Sequence, residues 1–269
     1  MSSLIFYKMQ GSGNDFILVD NRQGTLKDLR SLAPRLCRHK VSIGADGLIA
    51  IENSSSADFR MRIINADGSE AEMCGNGARC VARVAHLLGV APAKMSFETL
   101  AGIIRAEVVG ERVKIFMSAP HSLTLEQKLS LNGHDYTLYS INTGVPHAVV
   151  PWENLEEAPV TDLGRKIRFH SAFAPAGTNV NFIHQVDEHN INIRTYERGV
   201  EDETLACGTG SVAAALVKAA LGWVSPPVSL HPKSGEVLTI NFDWDGKEFK
   251  NVCMEGAAVL VYKGELVEG

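Results

Sequence analysis

The sequence predicts an α+β fold of two pseudo-symmetric domains, each a mostly antiparallel sheet wrapped around a central helix. Three observations carry that prediction. The first is an internal repeat. Glu70-Ala-Glu-Met-Cys74-Gly-Asn-Gly77 returns about half a chain later as Glu203-Thr-Leu-Ala-Cys207-Gly-Thr-Gly210. The same offset lays Leu88-Gly89 on Leu221-Gly222, Ser96 on Ser229, Gly102 on Gly235 and Gly44-Ala-Asp46 on Gly177-Thr-Asn179. A repeat of that length marks two similar domains rather than a solenoid. The second observation is helical periodicity directly after each Cys-Gly-x-Gly, and the third is a set of strand-like runs on either side of it.

Strands are expected in order at Leu4–Met9, Phe16–Asp20, Leu48–Ile51, Arg60–Asn65, Ile103–Val109 and Val113–Met117. The second half repeats them at Tyr136–Ile141, Ala148–Val150, Val180–His184, Ile191–Glu197, Val237–Phe242 and Ala257–Tyr262. The helices run through Ala78–Leu88 and Ser211–Leu221, with Gly89 and Gly222 as C-terminal stops. The second helix is apolar nearly all round, the mark of a buried helix. Ala119–Thr124 reads as the linker, which gives domains of residues 1–119 and 120–257. The strand-like length after Val252 leaves room for a last strand, residues 258–269, to cross back onto the first domain.

A chain of 269 residues with 45% hydrophobic content is long enough for two cores. The net charge of −5 and the lack of a basic block argue against nucleic acid as a partner. No export signal and no apolar run long enough to span a membrane is seen, so neither secretion nor a membrane partner is expected. The five cysteines (37, 74, 80, 207 and 253) are odd in number and irregular in spacing. That points away from a disulfide framework and towards the reducing cytoplasm.

Cys74 and Cys207 each stand just before a helix N-terminus, where orphan N–H groups and the helix dipole favour negative charge. Such a position favours thiolate, and the same donors can hold a carboxylate. A lone cysteine is more often a small buried hydrophobe. Two in matched positions argue for paired reactive thiols, suited to chemistry on both faces of one carbon. Cys37, Cys80 and Cys253 lack repeat partners and read as structural.

Other site chemistries fit poorly. Gly208-Thr-Gly-Ser-Val-Ala213 has the letters of a dinucleotide loop, but an acidic segment precedes it and the acidic ribose partner is missing. No Gly-Lys-Ser/Thr follows a glycine loop and metal-ligand spacings are absent, so no metal is expected; a pyridoxal-phosphate lysine stays open, although no phosphate cradle supports one. Asn14, His147 and the pair Glu197-Arg198 would individually pass for turn residues or solvated charges. Their repeat relations argue otherwise. Gly13–Phe16 lies opposite Gly144–His147, and Asn65 ends the strand before Cys74 as Glu197 ends the strand before Cys207. Equivalent positions flanking both cysteines would suit a cleft shared by the domains.

At these residues the chain resembles the diaminopimelate epimerases. The matching motifs are Lys8-Met-Gln-Gly-Ser-Gly-Asn-Asp-Phe16, Gly44-Ala-Asp-Gly47, Ile63-Ile-Asn-Ala-Asp-Gly-Ser-Glu70, Met73-Cys-Gly-Asn-Gly-Ala-Arg-Cys80, Gly144-Val-Pro-His147, Gly177-Thr-Asn-Val-Asn181, Tyr196-Glu-Arg-Gly199 and Ala206-Cys-Gly-Thr-Gly210. The resemblance implies a cofactor-independent enzyme of lysine and peptidoglycan-precursor synthesis, acting on a small-molecule substrate, diaminopimelate. It implies a two-base mechanism in which Cys74 takes the α-proton of the L,L isomer and Cys207 that of the meso isomer. His147 and Glu197 would set the protonation states of the cysteines. Backbone at Gly75, Asn76, Gly208 and Thr209 would hold the α-carboxylate, and Asn14, Asn65, Asn179, Glu197 and Arg198 the other polar groups. Val145 departs from the Asn-Pro-His of many relatives, which bears on substrate contacts rather than on the chemistry. A homodimer is an allowed assembly. Two alternatives stay open at this point: a related racemase of another amino acid, such as histidine or proline, and a non-catalytic binding protein for dicarboxylic amino acids.

Overall fold

A computed structural model describes residues 3–131 and 133–267. The chain divides into two compact units. One holds the chain up to Ile115 together with the segment from Gly256 onward, and the other spans Phe116–Glu255.

The first unit begins with β1 (Ser3–Gly11), β2 (Asn14–Asp20), α1 (Leu29–Leu36), β3 (Gly47–Glu52) and β4 (Phe59–Asn65). It continues with the short β5 (Glu70–Ala71), α2 (Gly75–Leu87), β6 (Lys94–Thr99), β7 (Gly102–Val109) and β8 (Arg112–Phe116). The second unit holds β9 (His121–Leu131), β10 (His134–Asn142), β11 (Pro146–Pro151), α3 (Val160–Arg168), β12 (Asn179–Gln185) and β13 (Asn190–Glu197). Then come β14 (Asp202–Thr204), α4 (Gly208–Ala220), β15 (Val228–Pro232), β16 (Leu238–Trp244) and β17 (Phe249–Ala257). The last strand, β18 (Val259–Val267), lies antiparallel to β1 in the first unit.

The two units repeat one pairing plan. β2 runs parallel to β3, and β3 antiparallel to β4. In the same way β11 runs parallel to β12, and β12 antiparallel to β13. Parallel pairs recur at β4–β6 and β13–β15, so antiparallel pairing dominates without being exclusive.

Alternation along each strand buries both faces of the sheet. In the second unit Val149, Ile183, Ile191 and Ile193 pack into the core of α4, while Ala148, Val150, Val180, Phe182 and Tyr196 pack against Leu163 and Ile167 of α3. In the first unit Ile17, Val19, Leu48, Ala50 and Ile64 meet Leu29, Ala33 and Leu36 of α1. Each unit therefore carries a buried helix on one sheet face and a short outer helix on the other.

Both buried helices begin directly after their cysteine, three residues before the expected starts at Ala78 and Ser211. Glycine disfavours helix on propensity, but close packing prevails here. A Cβ on Gly77 would press on the side-chain ends of Ile49, Ile63 and Met61, so this turn lies close on the sheet. Gly89 and Gly222 end the helices at positive φ, with Val90 N–H bonded to Ala85 O and Trp223 N–H to Lys218 O. This is the αL stop expected of a C-terminal glycine.

Two expectations need correction. Residues 121–124 are not free linker but the start of β9, paired with β10. The run expected as one strand at Ala257–Tyr262 is broken at Ala258 between β17 and β18. Helices α1 and α3 carry little sequence signal, because each is short, α1 contains Pro34 and Pro159 caps α3.

Candidate active site

The repeat delivers one cysteine per unit to the same local position. Cys74 is the N-cap of α2 and Cys207 the N-cap of α4, both with extended backbone. Glu70 and Glu203 anchor the approach to each. Arg62 reaches Glu70 with Nε–Oε1 at 2.7 Å, and Arg194 reaches Glu203 with the same pair of atoms at 2.7 Å. All five cysteines are thiols. Cys37, Cys80 and Cys253 are buried in the cores, and burial pushes the Cys37 thiol up to about 11, which keeps it inert.

In the first unit the Cys74 thiol points at Asn14 Oδ1, 3.6 Å away. Asn14 is held in turn, because its Nδ2 donates to the Asp46 carboxylate. A carboxylate only accepts, so the amide has its nitrogen on Asp46 and its oxygen on Cys74. Asp46 also accepts from the Asp15 N–H at 3.1 Å, and Lys8 pairs with Asp15 at 2.6 Å. Asn76 is buried and accepts from Arg79 Nη2 at 3.1 Å. Asn65, exposed at the end of β4, donates to Ser69 Oγ at 2.9 Å. Gly75 opens α2 with the N–H groups that carry the helix dipole.

The second unit is built differently around Cys207. Its sulfur lies 3.5 Å from Thr209 Oγ1, and Thr209 O accepts from Thr143 Oγ1 at 3.0 Å. Gly208 opens α4, packed so closely on Met254 that a Cβ would touch its sulfur. His147 is fully buried. Desolvation, with the Arg198 charge adding to it, pushes its pKa down to about 3, so the imidazole is neutral. Burial raises the Glu197 carboxyl, opposed in part by the Thr204 hydroxyl that donates to Oε2 at 3.0 Å. Asn179 donates to Pro146 O at 3.1 Å and accepts from the Arg198 N–H at 2.8 Å. Arg198 Nη1 reaches Ala176 O at 3.3 Å. Asn179 thus ties the turn before His147 to the turn after Glu197.

Sequence reasoning missed Asp46, Thr204, Asn181 and Thr195. No local signal marks Asn181: between Val180 and Phe182 a polar residue fits the ordinary alternation of a half-buried strand. Among the described residues no group of three or more His, Cys, Asp or Glu is placed to hold a metal ion.

The arrangement defines a class: a duplicated α+β protein that presents a thiol at a helix N-terminus in each repeat. Solved structures share the fold. A Bacillus anthracis phenazine biosynthesis protein of the PhzF family aligns over 100% of both chains with a TM-score of 0.73 at 17% identity. A probable proline racemase from Agrobacterium radiobacter K84 aligns over 98% of this chain and 93% of its own, with a TM-score of 0.71 at 14% identity. At those identities the likeness concerns the fold alone. The family model for diaminopimelate epimerase matches residues 6–123 and 139–261. The diaminopimelate epimerase of Aquifex aeolicus is 47% identical over 276 residues, covering 98% of each chain. The chain belongs to the diaminopimelate epimerase family.

Proposed function

We propose that this protein epimerises diaminopimelate without a cofactor, interconverting the L,L and meso isomers for lysine and peptidoglycan-precursor synthesis. One observation carries the proposal: in a chain whose residues 6–123 and 139–261 match the family model, each repeat caps its buried helix with a cysteine, Cys74 in one and Cys207 in the other.

Proton transfer by a positioned general base contributes only about 10²–10⁴-fold, so two thiols do not suffice alone. The larger share falls to stabilising the carbanion-like state. The unpaired N–H groups at Gly75 and Asn76, and at Gly208 and Thr209, suit the α-carboxylate. Cys74 as thiolate would abstract from the L,L isomer while Cys207 as thiol protonates the opposite face. The meso isomer would run the roles in reverse. A neutral His147, and a Glu197 whose carboxyl burial raises, would set the cysteines' protonation. Asn14, Asn65, Asn179, Glu197 and Arg198 would take the substrate's remaining polar groups.

A cytoplasmic location goes with this chemistry, since it needs reduced thiols and no helix among the described residues is long and apolar enough to cross a membrane. Assembly as a homodimer is proposed with it, to be checked by sedimentation velocity.

The deciding assay incubates the purified protein with L,L-diaminopimelate and resolves the isomers by chiral chromatography. Approach to a mixture of L,L and meso isomers is expected. Inertness towards diaminopimelate, with racemisation of histidine or proline instead, would move the assignment to another racemase of this fold.

A further inference from the structure

The two units differ at one buried spot. In the first, Phe16 pairs with Gly47, and two residues along the same strand Ile49 pairs with Ile63 beneath Gly77. In the second, His147 pairs with Asn179, and two residues along Asn181 pairs with Thr195 beneath Gly210. An apolar trio in one repeat is thus a polar trio, His147, Asn181 and Thr195, in the other. All three are buried, Asn181 and His147 almost completely. The same fold closes over this spot with apolar side chains in the first unit, so folding does not require the polar ones.

The hydrogen bonds fix every atom of the trio. Asn181 lies 3.0 Å from Ala148 O and 3.0 Å from Thr195 Oγ1. A carbonyl oxygen only accepts, so the Asn181 atom facing Ala148 is its amide nitrogen. That same nitrogen lies 3.1 Å from His147 Nδ1. Nδ1 must therefore accept, and the imidazole proton sits on Nε2. The Asn181 oxygen is left to accept from the Thr195 hydroxyl, which locks the amide against flipping. Among the described residues, Nε2 is a buried side-chain polar atom with no partner in the protein. Leaving a buried donor unsatisfied is unfavourable, and the penalty persists unless a ligand meets it. A Cβ on Gly210 would collide with Asn181 Oδ1 and touch Cys207 Sγ at 3.3 Å, so the relay runs directly beneath the second cysteine.

We propose that Asn181, locked by Thr195, is a positioning residue that holds His147 in the Nε2–H tautomer and reserves that proton as a donor for a carboxylate oxygen of the bound substrate. This rests on the epimerase reading for its ligand, but not for its geometry. The asymmetry also explains why a duplicated site keeps one polar relay only. The two cysteines are matched in position, and their surroundings are not.

The test joins a spectrum to kinetics. Long-range ¹H–¹⁵N correlation of histidine-labelled protein without substrate should show Nδ1 unprotonated and Nε2 protonated at His147. Asn181→Leu, an apolar change of the kind the first repeat carries naturally, should fold, lose the single tautomer and lower kcat about 10- to 100-fold with KM little changed. Thr195→Val should lower kcat in the same sense, and Thr195→Ser, which keeps the hydroxyl, should restore it. An Nδ1–H tautomer or an imidazolium in the wild-type spectrum would overturn the proposal. So would Asn181→Leu at wild-type kcat, or equal effects of Thr195→Val and Thr195→Ser. A wild-type protein inert towards diaminopimelate but showing the Nε2–H signature would sink the epimerase reading and leave the relay standing.

Discussion

Arg194 clasps Glu203 through two parallel hydrogen bonds, Nε to Oε1 at 2.7 Å and Nη2 to Oε2 at 2.8 Å. Arg62 holds Glu70 in the same bidentate way in the other repeat, and each acid stands four residues before its cysteine. The clasp fixes the short strand that delivers the thiol. Arg194→Met should therefore cost about 2 kcal/mol of stability, the size of a charge-assisted hydrogen bond lost at a partly buried site. Urea unfolding of the variant checks this, and an unchanged midpoint would remove the clasp from the account.

Acid stability follows from the same pairs and from His147. The Arg62 guanidinium holds Glu70 down at about 2, and Arg194 lowers Glu203 likewise. Carboxylates depressed in the folded state stabilise above their unfolded pKa, and that contribution fades as pH falls towards the folded value. His147 is a base lowered from 6.5 to about 3, so the unfolded chain binds its proton first. Its contribution also is present at neutral pH and fades as the medium acidifies, beginning near 6.5 rather than near 4.5. His147→Phe, the residue of the sister repeat, should flatten the stability curve between those two pH values and leave the steeper fall below them. Identical curves for variant and wild type would mean that His147 is not buried as a neutral ring.

Both helix-start glycines can be tested by one added methyl group. Gly210→Ala places its Cβ on Asn181 Oδ1, whereas Gly77→Ala meets the ends of Ile49, Ile63 and Met61, which can shift. Alanine gains up to about 1 kcal/mol in helix propensity, and overpacking costs about 1–3 kcal/mol. Gly77→Ala should come out near neutral. Gly210→Ala should lower both stability and kcat, measured by thermal unfolding and by the isomer assay. The reverse ranking would contradict the packing.

The buried helices, the paired strands around them and both cysteines were legible in the sequence, because each rests on a local signal that the repeat states twice. Cys-Gly-x-Gly before an apolar run is such a signal, and so is Gly89 with Gly222. The outer helices were not legible. Residues 29–36 and 160–168 are too short for their periodicity to rise above Pro34 in one and the basic Arg165, Lys166 and Arg168 in the other. Nor was the partner of His147. Asn181 alternates with Val180 and Phe182 as a surface residue would, and its burial beside the imidazole is a matter of three-dimensional register. The bonding of Asn14 to Asp46 likewise joins residues 32 positions apart through a parallel pairing that no local pattern reveals.

Metal dependence separates thiol chemistry from the alternatives. Full activity is expected after dialysis against EDTA, and loss of activity restored by a divalent ion would require a different mechanism.

On the proposed mechanism, removal and return of the proton use different sulfurs, so Cys74→Ala and Cys207→Ala should each abolish epimerisation from either isomer and keep the fold. Cys80→Ala, which alters a thiol buried inside α2, should retain most of the activity. Near wild-type turnover by either of the first two variants would break the pairing.

The most direct measurement is the early fate of deuterium when the wild-type protein turns over L,L-diaminopimelate in D₂O. Two bases on opposite faces require that the proton leave on one sulfur and that a solvent-derived deuteron arrive from the other. The meso product should therefore carry deuterium at the inverted α-carbon from the first turnovers, while unreacted L,L substrate stays almost unlabelled. Deuterium appearing equally fast in substrate and product, or inversion with no deuterium in the product, would contradict the two-cysteine account.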